Sequence, residues 1–108
     1  MRSPFKQVSF ADVVHYVCKR PAMYTMHGSF PEVIAYIEGY TTSDTTRKSR
    51  LEWHGFSRWL SARMDYQDDK VAARYLRETY PNDDEAISRL AELYSEYADH
   101  EKSQKDLN

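Results

Sequence analysis

The residues of this 108-residue chain that could do chemistry are four histidines, one cysteine and a few grouped carboxylates. Zinc sites announce themselves by local spacing, because ligands one turn apart can converge on a single ion. His15, His27, His54 and His100 show no such spacing, and Cys18, three residues after His15, has no second ligand to complete a set. Cys18 as a nucleophile would need a base beside it, yet it falls on the apolar face of a helical pattern, where a thiol behaves as a small hydrophobe. Asp68/Asp69 and Asp83/Asp84/Glu85 stand at helix starts, where capping already accounts for carboxylates. Three scattered glycines cannot build a phosphate-cradling loop. The expectation is a protein that is not an enzyme and needs no metal or cofactor.

Composition narrows the class further. The length suits one domain with a real core. Hydrophobic residues make up 41% and charged residues 30%, which excludes disordered and low-complexity chains. A formal charge of −2 gives no global basic field for nucleic acid. A lone cysteine points to a reducing cytoplasm rather than secretion. The longest apolar run, Val13 to Cys18 and broken by His15, is too short to span a membrane. A cytoplasmic monomer without membrane or nucleic-acid partners is expected.

The elements that must position these residues are all helical in period. Ser9–Asp12 reads as a capping box, followed by a face of Phe10, Val13, Val14, Val17 and Cys18. Pro21 predicts an end near Lys19 or Arg20 and a loop to Gly28. Ser29–Glu32 opens a second helix with a stripe of Phe30, Ile34, Ile37 and Tyr40 (or Thr41) and Val33 beside it. The polar run 41–50 reads as a solvated connection, although Arg47, Lys48 and Arg50 could equally begin the next helix. Trp53, Phe56, Leu60 and Met64 form a third stripe, with Trp59 on its shoulder. Val71, Ala72, Tyr75, Leu76 and Thr79 form a fourth, capped by Asp68 or Asp69. Asn82, in a capping box with Glu85, starts a fifth that carries Ala86, Ile87, Leu90, Leu93, Tyr94, Tyr97 and Ala98, with fraying from Lys102 to Asn108. The fold class is all-α: a compact single-domain bundle of about five helices.

The charge is unevenly placed. Residues 1–77 hold twelve Lys/Arg against eight Asp/Glu, whereas residues 78–108 hold three against nine. Asp84, Glu85, Glu92, Glu96 and Asp99 fall mostly away from the apolar face of the last helix, which makes an exposed acidic strip. Such a strip is either plain solvated surface or a dock for a basic partner, with Tyr97 or Trp59 as anchors. Tyr16, Tyr66 and Tyr80 lie off the stripes and are expected to face outward. An alternative reading uses Arg47, Lys48, Arg50, Arg58 and Arg63 in a small helical nucleic-acid-binding regulator.

The most distinctive string is Arg20-Pro21-Ala22-Met23-Tyr24. Physically it stops a helix, with Met23 and Tyr24 folding back over its end and Arg20 reaching carbonyls or a buried acid. It is similar to the RPGMY string of gyrase-B-type ATPase domains over six residues, but the acidic and Gly-rich ATP motifs of that family are missing. Over about residues 9–100 the chain resembles small bacterial immunity proteins of contact-dependent growth inhibition and related toxin systems. The resemblance rests on this string, on Ser29 through Gly39-Tyr40, on Trp59-Leu60-Ser61-Ala62-Arg63, and on the acidic helix that follows. It implies a cytosolic protein that binds one cognate toxin domain, often a nuclease with a basic cleft, and occludes its active site. The string itself would then be structural.

Overall fold

The computed structural model describes residues 9–64 and 72–106, and among them the chain forms six helices and no strand. They are α1 (Phe10–Lys19), α2 (Pro21–Tyr24), α3 (Phe30–Ser43), α4 (Lys48–Arg63), α5 (Ala72–Thr79) and α6 (Asp83–Asp106). The bundle is all-α, and no described helix is long and apolar enough to cross a membrane.

Local chemistry fixes the first two long helices. Ser9 accepts from the Asp12 amide while Asp12 accepts from the Ser9 amide, and Ser29 and Glu32 repeat this reciprocal pair at α3. Each box satisfies two amides that the first turn leaves without partners. Pro21 ends α1, but it also supplies the preset φ of a first helical position, so the expected loop contains the short helix α2. That is the sixth helix beyond the five read from the sequence.

The connection from 41 to 50 is largely helical, although most of it is exposed as expected. α3 runs to Ser43 and α4 begins at Lys48, which leaves residues 44–47 as the loop. Thr41 and Ser49 are buried. The Thr41, Thr42 and Ser43 hydroxyls donate to the Glu38 and Gly39 carbonyls one turn back, so these polar side chains need no water. Asp44 then caps α4 from outside it: its carboxylate accepts from the Ser49 amide and hydroxyl at 3.0 and 2.7 Å, and from the Thr46 amide and hydroxyl. These four donors hold its carboxyl far below the usual range.

The apolar faces meet in one core of Phe10, Val13, Val14, Val17, Val33, Ile37, Trp53, Phe56, Leu60, Leu76, Leu90, Leu93 and their neighbours. Asn82 accepts from the Glu85 amide at 3.0 Å at the start of α6. α6 reaches Asp106, past the expected fraying point, and its last turns carry Lys102 and Lys105, cations suited to the negative end of a helix. The proposed Asp68/Asp69 cap, Val71 and Tyr66 lie outside the described residues.

Gly55 lies where α4 meets α6, facing Tyr97. A Cβ there would enter the van der Waals shell of the Tyr97 hydroxyl oxygen, while the ring carbon Cζ lies at an ordinary 3.5 Å. Gly55→Ala therefore trades a helix-propensity gain of about 1 kcal/mol against overpacking that typically costs about 1–3 kcal/mol. We expect Gly55→Ala to lower the melting temperature, and Gly55→Ala/Tyr97→Phe, which removes only the clashing oxygen, to recover it. Thermal unfolding of the three variants checks the coupling.

Candidate partner-binding surface

α6 places its acids by arithmetic. Glu85, Glu92, Glu96 and Asp99 follow one another at intervals of seven, four and three residues, which keeps them on one face. The buried residues Ala86, Ile87, Leu90, Leu93, Tyr94 and Tyr97 take the opposite face. Asp84, Glu85, Glu92, Glu96 and Asp99 are all exposed. Two of them are already engaged: Arg89 donates to Glu92, and Arg63 donates to Glu96 at 3.3 Å. Asp84, Glu85 and Asp99 have no ion-pair partner among the described residues.

The two proposed anchors separate. Tyr97 is 7% exposed and packs against Phe56, Trp59 and Tyr94, so it belongs to the core and offers a partner almost no surface. Trp59 is half-buried at the edge of the strip, its ring 6.4 Å from that of His100, with the Arg63 guanidinium 5.1 Å above it. Because the same Arg63 holds Glu96, one arginine joins the Trp59 ring to the acidic strip. The i, i+4 spacing of Trp59 and Arg63 was a visible signal for that stack; the partner on α6 was not. Arg63 is thereby removed from any basic surface of α4.

The Arg20–Tyr24 string is a surface corner. Arg20 is exposed, Pro21 begins α2, and Tyr24 packs edge-on to Tyr36 with centroids 5.7 Å apart. Met23 does not fold back over α1; it is 67% exposed, because the turn of α2 points it outward. The corner is held by residues outside the string: the Thr25 hydroxyl donates to the Pro21 carbonyl and accepts from the Gly28 amide, and Glu32 accepts from the His27 amide at 3.1 Å. Gly28, at φ 68°, takes a left-handed turn that side-chain-bearing residues rarely adopt. Tyr16 is exposed as expected, but Tyr80 is not outward-facing: it is half-buried and its hydroxyl accepts from Arg89 at 3.1 Å.

Groups with reactive chemistry are dispersed. His15, His27, His54 and His100 sit apart on the surface, and no group of three or more His, Cys, Asp or Glu able to hold a metal exists among the described residues. Cys18 is buried on α1, and desolvation pushes its thiol up to about 12. A cleft of about 260 Å³ beside the end of α6 brings together Ser9, Glu52, Tyr94, Tyr97, Glu101 and Lys105, none of which the sequence singled out as a group. The Tyr94 hydroxyl donates to Glu52; the lost water raises the Glu52 pKa, against the opposing pull of Lys105 and this bond.

Two measurements follow from these environments. A carboxyl whose folded pKa is raised is penalised at neutral pH, and the penalty fades as pH falls through that pKa. Glu52→Gln, which keeps an acceptor for Tyr94, should melt higher than the parent at pH 7, with the gap closing toward pH 4. The Cys18 thiol should resist alkylation in the native protein at pH 8 and react only at the rate of unfolding; rapid native labelling would contradict its burial.

No family model, no curated protein and no solved structure matches this chain.

Proposed function

We propose that the protein is an immunity-type inhibitor, a monomer in the bacterial cytoplasm that binds a cognate toxin domain and blocks its active site without performing chemistry. The observation that carries this reading is the exposed acid row of α6, opposite the helix's buried face. A nuclease cleft is basic because it must hold phosphates, so a row of carboxylates can occupy the place of those phosphates. Three of the five acids, Asp84, Glu85 and Asp99, have among the described residues no cation to release before meeting a partner. Trp59 beneath Arg63 supplies a stacked Trp–Arg pair at the margin, two residue types that dominate binding hot spots. Glu92 and Glu96, already paired to Arg89 and Arg63, add less attraction than the other three acids.

The test is co-expression with the toxin reading frame adjacent to its gene, followed by stopped-flow association of the purified pair. We expect protection of growth, and an association rate that drops about tenfold or more at low salt in Glu85→Lys/Asp99→Lys, with a flatter salt dependence. Absence of protection, or an unchanged rate in that variant, would sink the reading.

A further inference from the structure

The arginines of the described residues fall into two populations. Arg63, Arg74, Arg77 and Arg89 each pair with a carboxylate, respectively Glu96, Glu78, Asp83 and Glu92. Arg20, Arg47, Arg50 and Arg58 have no such partner among the described residues. Two of these four, Arg50 and Arg58, lie on α4, and Arg47 is the residue just before it. Arg47, left-handed at φ 63° and outside the helix, is followed at intervals of three, four and four residues by Arg50, His54 and Arg58, and these three lie along one exposed face of α4. α4 buries Ser49, Trp53, Phe56, Ser57 and Leu60 on other positions, and its carboxylate, Glu52, lines a different cleft with α6 residues. Glu38 of α3 is the acid that shares a cleft with Arg50 and His54.

We propose that this face of α4 is a second binding surface, which holds the phosphodiester backbone of a nucleic acid through Arg47, Arg50 and Arg58, with His54 between them. Arg50 and Arg58, eight residues apart, stand about 12 Å apart along the helix, and with Arg47 the row extends over about 16 Å, a length of backbone that carries several phosphates. Guanidinium is the group best matched to phosphate oxygens, since it donates two parallel bonds. The face has one large apolar residue, the exposed Leu51, and no aromatic anchor. A protein partner would need a desolvated centre of that kind, whereas a phosphate backbone is held by charge alone. This surface is independent of the toxin reading, which rests on α6, so failure of one leaves the other standing.

The experiment is fluorescence anisotropy of short labelled DNA and RNA duplexes with the full chain, titrated from about 50 to about 200 mM salt. Three arginine contacts give a log–log slope of about −3, or about a 60-fold loss of affinity across that range. Arg50→Glu/Arg58→Glu, at exposed positions that leave the melting curve intact, should lose at least tenfold at the low-salt end. Lys102→Glu/Lys105→Glu, with the same change in net charge elsewhere, should lose less than about threefold. Binding absent at low salt, or lost equally in both variants, would overturn the proposal. So would capture of the protein by poly-glutamate through Arg50 and Arg58 with no binding to either duplex, since that outcome marks a dock for an acidic protein.

Discussion

The buried face of α6, from Ala86 to Tyr97, is shared by α1, α3, α4 and α5, all of which pack on it. Each fully buried Leu, Ile or aromatic side chain there is worth about 1.5–3 kcal/mol, whereas an exposed ion pair is worth about 0–1. The apolar stripe therefore decides where α6 lies, and the pairs Arg63–Glu96 and Arg89–Glu92 decorate the result. Once the stripe is inward, a helix of 3.6 residues per turn leaves the remaining positions no choice. Glu85, Glu92, Glu96 and Asp99 must emerge together on the far side. The acidic surface is a geometric consequence of the core.

The same core shows how much polar cost aromatic packing can absorb. The Trp53 indole N–H is buried without a hydrogen-bond partner among the described residues, a loss of about 1–3 kcal/mol. Its ring lies against Phe10, Phe56 and Tyr94, with centroids 5.6–6.3 Å away. Ring pairs of this kind contribute about 0.5–1.5 kcal/mol each beyond their area, so three of them offset one orphan donor. Gly55 serves the same cluster from two residues on, since the absent side chain is what lets Tyr97 close against α4.

What could be read from the sequence was whatever depends on neighbours in the chain. Ser9–Asp12, Ser29–Glu32 and Asn82 announce their helices because a cap acts over three residues, and the stripes of α1, α3 and α6 follow from period alone. Residues 41–50 resisted because Asp44 caps α4 from five residues away and three hydroxyls bond backward to carbonyls, so a wholly polar stretch stays helical at both ends. Met23 resisted for another reason: its direction depends on whether Pro21 merely stops α1 or also starts α2. In the candidate surface, the acids were legible from spacing, but the core position of Tyr97 and the link from Trp59 through Arg63 to Glu96 depend on how α4 meets α6.

That meeting also sorts the charge. Where α4 and α6 touch, their charges are consumed in pairs or turned into the cleft around Glu52 and Lys105. Where each helix faces water, no partner helix is available, and like charges accumulate: carboxylates on α6, guanidiniums on α4. A chain selected only for stability would intersperse the signs, since i, i+4 pairs of opposite charge stabilise a helix and like pairs weaken it by similar amounts. Glu92 and Glu96 on one helix run against that local preference, and on the other Arg50 and Arg58 have no carboxylate partner among the described residues. The cost is a few tenths of a kcal/mol per pair, small beside the core and easily retained where the surface is used. Segregated charge on helices whose apolar faces are fully satisfied is thus the feature that folding does not explain, and it is the reason both surfaces are read as binding surfaces.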